Sequence, residues 1–277
     1  MTSFSACILQ LNSSSDLNQN IATITEQMHA AKKDGADLIA LPENAALMAF
    51  DSATLKANSY PESTHPALSS LRVQAADLNV WLLIGSLAID TENDKIANRS
   101  FLIDPEGRVV ARYDKIHLFD VDLPNGEHYR ESATFNAGSD AVLAATPLGK
   151  FGLSICYDVR FPHLYRRYGL AGADVLFIPA AFTKVTGQAH WHTLLRARAL
   201  ENGCYVIAPA QCGTHQNGRE TFGHSLIIDP WGKILAEGRG TAPCRIMANL
   251  DLDLVQSVRQ KIPSLAHDTA FNLVRVD

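Results

Sequence analysis

The 277-residue sequence is short of several features, and each shortage removes a class of protein. No apolar run approaches the ~20 residues that a membrane-spanning helix needs, so no membrane partner is expected. The N-terminus has no basic stretch followed by an apolar core, so no secretory signal is expected either. Basic residues are not in excess. The formal net charge is −5, which gives no basic face and makes nucleic acid an unexpected partner. Cysteine is scarce and odd in number, at Cys7, Cys156, Cys204, Cys212 and Cys244, with no C-x-x-C spacing. A disulfide framework or zinc site is therefore not expected, and a reducing cytoplasm is the natural setting. The Gly-x-Ser-x-Gly elbow of α/β hydrolases is absent, and so is the Cys-Gly-Ser-Cys-Trp signature of papain-like proteases.

What remains is ordinary globular composition, 47% hydrophobic and 19% charged. Residues 4–11 read as a strand. Residues 16–33 read as a helix with Leu17, Ile21, Ile24, Met28 and Ala31 on one face, started by Ser15 or Asp16. Residues 37–41 form a short buried strand stopped by Pro42-Glu43-Asn44. A helix over 66–78, a strand over 80–89 and a hairpin over 98–113 follow, the hairpin turning at Asp104-Pro-Glu-Gly107. Residues 188–202 read as a further helix.

The second half repeats this order. FGLSIC at 151–156 parallels FSACIL at 4–9, and Gly172 to Pro179 parallels Gly35 to Pro42. Ser225 to Ala236 parallels Ser100 to Ala111. Two similar units are implied, each a sheet with helices on one face and an apolar surface on the other. Packing the two apolar faces together predicts an α/β fold, a four-layer α-β-β-α sandwich, internally pseudo-duplicated. No Pro/Gly/Ser-rich linker separates the halves, so one domain over residues 1–277 is expected. Between them, Tyr113 to Thr134 reads as a long charged loop.

Cys156 ends a buried strand, where a side chain can face a cleft. It suits a thiol nucleophile and equally a small buried hydrophobe. Cys7, Cys204 and Cys244 lie in apolar runs and read as core residues. A nucleophilic thiol needs a base or a positive environment. His190 and His192 open the helix over 188–202, but residues two apart on a helix point different ways and do not share a metal. A carboxylate and an amine can serve instead. Glu43 lies just past a strand end, Lys115 just after the hairpin, and Glu131 within the long loop. Each alone reads as a surface charge; together they sit at the edges of elements that the repeat places in register.

Leu41-Pro-Glu-Asn44, Tyr113-Asp-Lys-Ile-His-Leu-Phe119 and Ser154-Ile-Cys-Tyr-Asp-Val-Arg-Phe-Pro162 resemble the three signature blocks of the nitrilase superfamily. Arg130-Glu-Ser132 resembles the block carrying that family's second glutamate. The resemblance implies the α-β-β-α sandwich and amide hydrolysis through a cysteine thioester, with no metal or organic cofactor. It implies Cys156 as nucleophile, Glu43 as general base, Lys115 as oxyanion stabiliser and Glu131 as support for Lys115. The backbone N–H of Tyr157 would be a second oxyanion donor. It also implies a homodimer or larger homo-oligomer.

His117 to Pro124 and Thr186 to Trp191 resemble the Nit branch of that superfamily. Leu195 to Tyr205, Ala210 to His215 and Phe222 to Gly232 resemble its members that act on deaminated glutathione. The alternatives are members acting on 2-oxoglutaramate or 2-oxosuccinamate, or on true nitriles. His163 departs from the glutamate the family often carries after Arg-Phe-Pro. Substrates of this branch end in a 2-oxo acid, so a cation should meet their carboxylate. Arg130, Arg160 and Lys184 are the candidates, with pairing to Asp158 the expected role of Arg160. Gln216-Asn-Gly-Arg-Glu220 is a polar segment without an assigned role. An inactive interaction protein on the same scaffold would have lost a catalytic residue, and none of the four is lost.

Overall fold

The computed structural model describes residues 3–49, 51–91 and 95–276. The extreme ends of the expected 1–277 domain lie outside that range. Two sheets carry the fold. The first orders its main strands Cys244–Asp251, Ser3–Gln10, Leu38–Ala40, Trp81–Asp90, Ile96–Ile103 and Val109–Asp114. The second orders Leu143–Thr146, Gly149–Leu153, Val175–Phe177, Tyr205–Ala208, Leu226–Ile228 and Ile234–Glu237.

The expected duplication is present strand for strand. In the first sheet, Ser3–Gln10 runs parallel to Leu38–Ala40, which runs parallel to Trp81–Asp90, and two antiparallel partners follow. In the second, Gly149–Leu153 runs parallel to Val175–Phe177, which runs parallel to Tyr205–Ala208, again followed by two antiparallel partners. Each sheet is extended at its parallel end by one antiparallel strand.

The two Asp-Pro-x-Gly turns match to the level of atoms. Asp104 Oδ1 accepts from the N–H groups of Glu106 and Arg108 at 3.1 and 2.9 Å. Asp229 Oδ1 accepts from those of Trp231 and Lys233, both at 2.9 Å. Gly107 and Gly232 sit at φ 76° and 80°, a left-handed conformation that glycine adopts without steric cost.

Strand alternation sorts the side chains into layers. From Ser3–Gln10, Phe4, Ala6 and Ile8 pack in one core with Phe151, Leu153 and Phe177 of the second sheet. Cys7 and Leu9 point the other way, into a core with Ile24, Met28, Leu71 and Ala75 beneath the helices Leu17–Lys33 and Pro66–Leu78. Asp16 caps the first of these helices, accepting from Gln19 N at 3.0 Å.

Two elements differ from the sequence reading. The helix expected from residue 188 begins at Lys184, because Thr183 leads into it and Gly187 N–H already bonds Thr183 O at 2.8 Å. The expected loop from Tyr113 to Thr134 contains a small hairpin, Asp120–Asp122 with His128–Arg130, and a 3-10 turn over Glu131–Ala133. Its short strands are half exposed and charged, so they lack the apolar alternation by which a strand is read. Among the described residues, no helix is long and apolar enough to cross a membrane, and all five cysteines are free.

Candidate active site

The site begins where two equivalent strands end. After Leu38–Ala40 the chain turns through Leu41-Pro42, close against the neighbouring strand. Gly85 makes this approach possible, since a Cβ there would lie 2.2 Å from Leu41 O. Asn44, at φ 56°, completes the turn, and its N–H donates to Ser86 Oγ at 2.9 Å. Gln211 of the second half donates to Glu43 O at 3.1 Å. Glu43 is thus gripped by its backbone and only 4% exposed.

After Gly149–Leu153 the chain turns at Cys156, which has φ 50°, an unusual conformation for a residue with a Cβ. The turn is held from within. Asp158 is fully buried; its Oδ2 accepts from Ile155 N–H at 2.8 Å and from the Tyr113 hydroxyl at 2.7 Å. Its Oδ1 accepts from His117 N–H at 3.0 Å and meets His117 Nδ1 at 2.7 Å. One carboxylate therefore ties the cysteine turn to the segment that follows Lys115. This corrects the expected Asp158–Arg160 pairing. The carboxylate points inward to close the turn, while Arg160 lies over the Phe182 ring at 5.3 Å and meets His190 Nδ1 at 3.3 Å.

Between the two strand ends lies a buried charge network. Lys115 Nζ donates to Glu43 Oε1 at 2.9 Å and to Glu131 Oε1 and Oε2 at 3.0 and 2.8 Å. Asn98 Nδ2 bridges the two carboxylates at 3.0 and 3.2 Å. Phe119 N–H donates to Glu131 Oε2 at 2.6 Å, and Ala181 N–H to Glu43 Oε2 at 2.8 Å. The sequence reading missed Asn98. Its sequence gives no distinct signal, since Asn98 is followed in the same strand by the polar Arg99 and Ser100.

The network fixes the protons. Burial pushes the Glu43 carboxyl up, but the charge and hydrogen bond of Lys115, with hydrogen bonds from Cys156 and Ala181, outweigh it and hold the group below its ordinary 4.5. Burial pulls Lys115 down, and the two glutamates more than reverse this, leaving the ammonium well above 10.5. Burial and then the Glu43 charge push the Cys156 thiol well above its ordinary 9.0, with Lys115 only partly opposing them. The resting set at neutral pH is a thiol, a carboxylate that hydrogen-bonds it, and an ammonium. Such a set can pass a proton from sulfur to carboxylate as the sulfur bonds to carbon, and hold a cation near an oxyanion.

Glu43, Lys115, Glu131 and Cys156 open onto one cavity of about 270 Å³, with Phe119, Tyr129, Tyr157, Phe182 and Arg219 in its walls. The three expected carboxylate-binding cations fare differently. Arg130 reaches the cavity, but its guanidinium is engaged by Asp122 at 2.7 Å and by the carbonyls of Val121 and Tyr129. Lys184 lies outside the lining and pairs with Glu220 at 2.7 Å. Arg160 is outside the lining as well.

A second cluster of possible metal ligands, His192, His224 and Glu237, also stands outside that lining. The same Glu237 oxygen meets His192 Nε2 at 3.0 Å and His224 Nδ1 at 2.7 Å. Donors around a tetrahedral zinc stand about 3.3 Å apart, given bonds of about 2.0–2.1 Å. The spacing is that of two hydrogen bonds, and they tie the helix Lys184–Asn202 to the strand Ile234–Glu237.

Comparison with known proteins agrees with this architecture. The model of the carbon-nitrogen hydrolase family matches residues 5–260. A Synechocystis protein named deaminated glutathione amidase is 45% identical over 272 residues, covering 96% of this chain and 98% of its own. The C. elegans NitFhit protein superimposes with a TM-score of 0.88 at 34% identity, covering 97% of this chain and 65% of that one. Saccharomyces cerevisiae Nit3, a member of branch 10 of the nitrilase superfamily, superimposes with a TM-score of 0.86 at 31% identity, covering 95% of each chain. With its duplicated sandwich and its signature residues drawn to one cavity, the chain belongs to the carbon-nitrogen hydrolase family of the nitrilase superfamily, whose members hydrolyse non-peptide carbon–nitrogen bonds.

Proposed function

We propose that the protein is an amidase working through a thioester on Cys156, and that its substrate is deaminated glutathione. The observation that carries the mechanism is the buried Glu43–Lys115–Glu131 network, with Cys156 and Glu43 opening onto the same cavity. Sulfur attacks the amide carbonyl carbon while its proton passes to Glu43. Lys115 and the backbone N–H of Tyr157 receive the oxyanion, each such donor contributing roughly 3 kcal/mol. The tetrahedral intermediate collapses, the carbon–nitrogen bond breaks, and Glu43 hands its proton to the departing amine. Glu43 next takes a proton from water, which attacks the thioester. The acid leaves and the thiol re-forms. Glu131 and Asn98 hold Lys115 and Glu43 in place.

The substrate reading rests on the similarity to the Synechocystis amidase along nearly the whole chain. It gives 2-oxoglutarate and cysteinylglycine as products. The test is product formation from deaminated glutathione and 2-oxoglutaramate side by side, with Cys156→Ala as the blank. The expected result is a large kcat/KM preference for deaminated glutathione. A preference for 2-oxoglutaramate would make the enzyme an ω-amidase, and turnover of neither would remove the substrate.

We read the chain as one carbon-nitrogen hydrolase domain acting in the cytoplasm, since five free cysteines suit a reducing compartment. We also propose self-association. Leu170, Leu200, Trp231 and Ile262 are each at least half exposed, as are Phe271, Leu273, Val274 and Val276 near the C-terminus. Light scattering on the eluting protein would give the expected dimer or larger mass; a monomer would exclude it.

A further inference from the structure

Most cations lining the cavity are already matched. Lys115 is held by two glutamates, and Arg130 pairs with Asp122. Arg219 is different. Among the described residues it makes no ion pair with a carboxylate, although it forms part of the cavity wall. Its Nη2 donates to Ala181 O at 3.0 Å, beside the Ala181 N–H that holds Glu43. Its guanidinium lies over the Tyr129 ring at 5.2 Å. Its Nε is buried and, among the described residues, has no hydrogen-bond partner.

The segment that delivers Arg219 is built for position. It is the turn between the strands Cys212–Thr214 and Glu220–Phe222. His215 N–H donates to Arg219 O at 2.9 Å, Gly218 N–H to His215 O at 2.9 Å, and Arg219 N–H to Asn217 Oδ1 at 2.9 Å. Gly218 takes φ 86°, as the tight turn requires. The Gln216 side chain accepts from Ser15 Oγ at 2.7 Å, and Phe222 N–H donates to Phe182 O at 2.9 Å, pinning the turn on both sides. This is the polar segment Gln216–Glu220 for which sequence offered no role.

We propose that Arg219, in the cavity wall, receives a carboxylate of the substrate through its guanidinium N–H groups. The inference rests on the amidase reading above and supplies the residue that reading lacks. A guanidinium suits a carboxylate because it offers parallel N–H donors in a fixed plane. Here the Tyr129 ring and the Ala181 carbonyl set that plane before a ligand arrives. Deaminated glutathione carries two carboxylates, at its 2-oxo acid end and at its glycyl end; 2-oxoglutaramate carries only the first.

The test compares wild type, Arg219→Met and Arg219→Lys on both substrates. KM should rise roughly 10- to 100-fold in Arg219→Met with kcat little changed, and Arg219→Lys should recover part of the loss. A rise with both substrates assigns the 2-oxo acid carboxylate; a rise with deaminated glutathione alone assigns the glycyl one. Neutral iodoacetamide should label Cys156 at the same rate in all three proteins, read on the Cys156 peptide by mass spectrometry. An unchanged KM with both substrates would overturn the proposal, as would a KM change accompanied by altered labelling. If wild type turned over neither substrate, the amidase reading would fall by itself. Arg219 would then be judged by protection, with 2-oxoglutarate slowing Cys156 labelling in wild type and not in Arg219→Met. Equal behaviour of the two proteins would dismiss it.

Discussion

The two halves share strand order, strand directions and the geometry of their Asp-Pro-x-Gly turns, yet they carry different chemistry. At the end of the second parallel strand, the first half has Glu43 where the second has Ala180. At the end of the first strand the second half has Cys156 where the first has Leu9. After the hairpin, Lys115 stands opposite Gly240. Leu9 and Ala180 are buried apolar side chains, and Leu9 lies within the strand Ser3–Gln10, whereas Cys156 sits in a left-handed turn. Each half contributes side chains to one cavity, and Ala181 and Gln211 of the second half hold Glu43 of the first.

The sharpest way to break the comparison is to make the halves alike where they differ. Cys156→Ala should lower kcat by about ten-thousand-fold or more, as loss of a nucleophile does. Glu43→Gln should cost roughly 10²- to 10⁴-fold, the usual worth of a general base. Steady-state turnover measures both, and near-normal activity in either would remove the assigned role. Lys115→Met is expected to act on stability as well. It leaves Glu43 and Glu131 buried and facing each other without a cation, a loss of about 3–5 kcal/mol. Urea unfolding should rank it well below Glu43→Gln, which leaves Lys115 paired to Glu131.

A pH profile sharpens the same point. Glu43 must be ionised to accept the thiol proton, and its pKa lies below 4.5. The kcat/KM acid limb should therefore fall below pH 4.5, with no limb near pH 7. The same depressed carboxyl contributes stability that is fully present above its unfolded value and lost as pH falls through its folded one. The smallest effects belong to the features that the halves share. Asp104→Ala and Asp229→Ala each remove an acceptor for two backbone N–H groups. Each should cost about 1–2 kcal/mol in urea with kcat unchanged, and unequal losses would show that the match is only geometric.

Legibility in the sequence followed the same division. Repeated strands were readable because their apolar alternation recurs with the same turn residues at the same spacing. Strand ends drew attention to Glu43 and Cys156, but position alone left one a surface charge and the other equally a buried hydrophobe, and only the resemblance of their blocks to a family implied roles for them. Asn98 was not readable, since its role depends on the register that turns one residue of a buried strand toward two carboxylates. Arg219 escaped because a polar turn looks the same whether it faces solvent or a cavity. Arg160 and Asp158 were paired on proximity in sequence, but a 3-10 turn sends the two side chains to opposite sides.

The left-handed turn at Cys156 holds its sulfur beside a carboxylate, where it keeps its proton. Peroxides attack thiolates, and their reaction follows thiolate character and exposure. A thiol 7% exposed and held above its ordinary pKa offers little of either. Under the proposed mechanism the sulfur becomes a strong nucleophile only as it attacks a carbonyl and its proton passes to Glu43, so oxidative damage and catalysis would not compete for the same resting species. An enzyme so arranged should keep its activity through a burst of oxidant that silences thiolate enzymes around it.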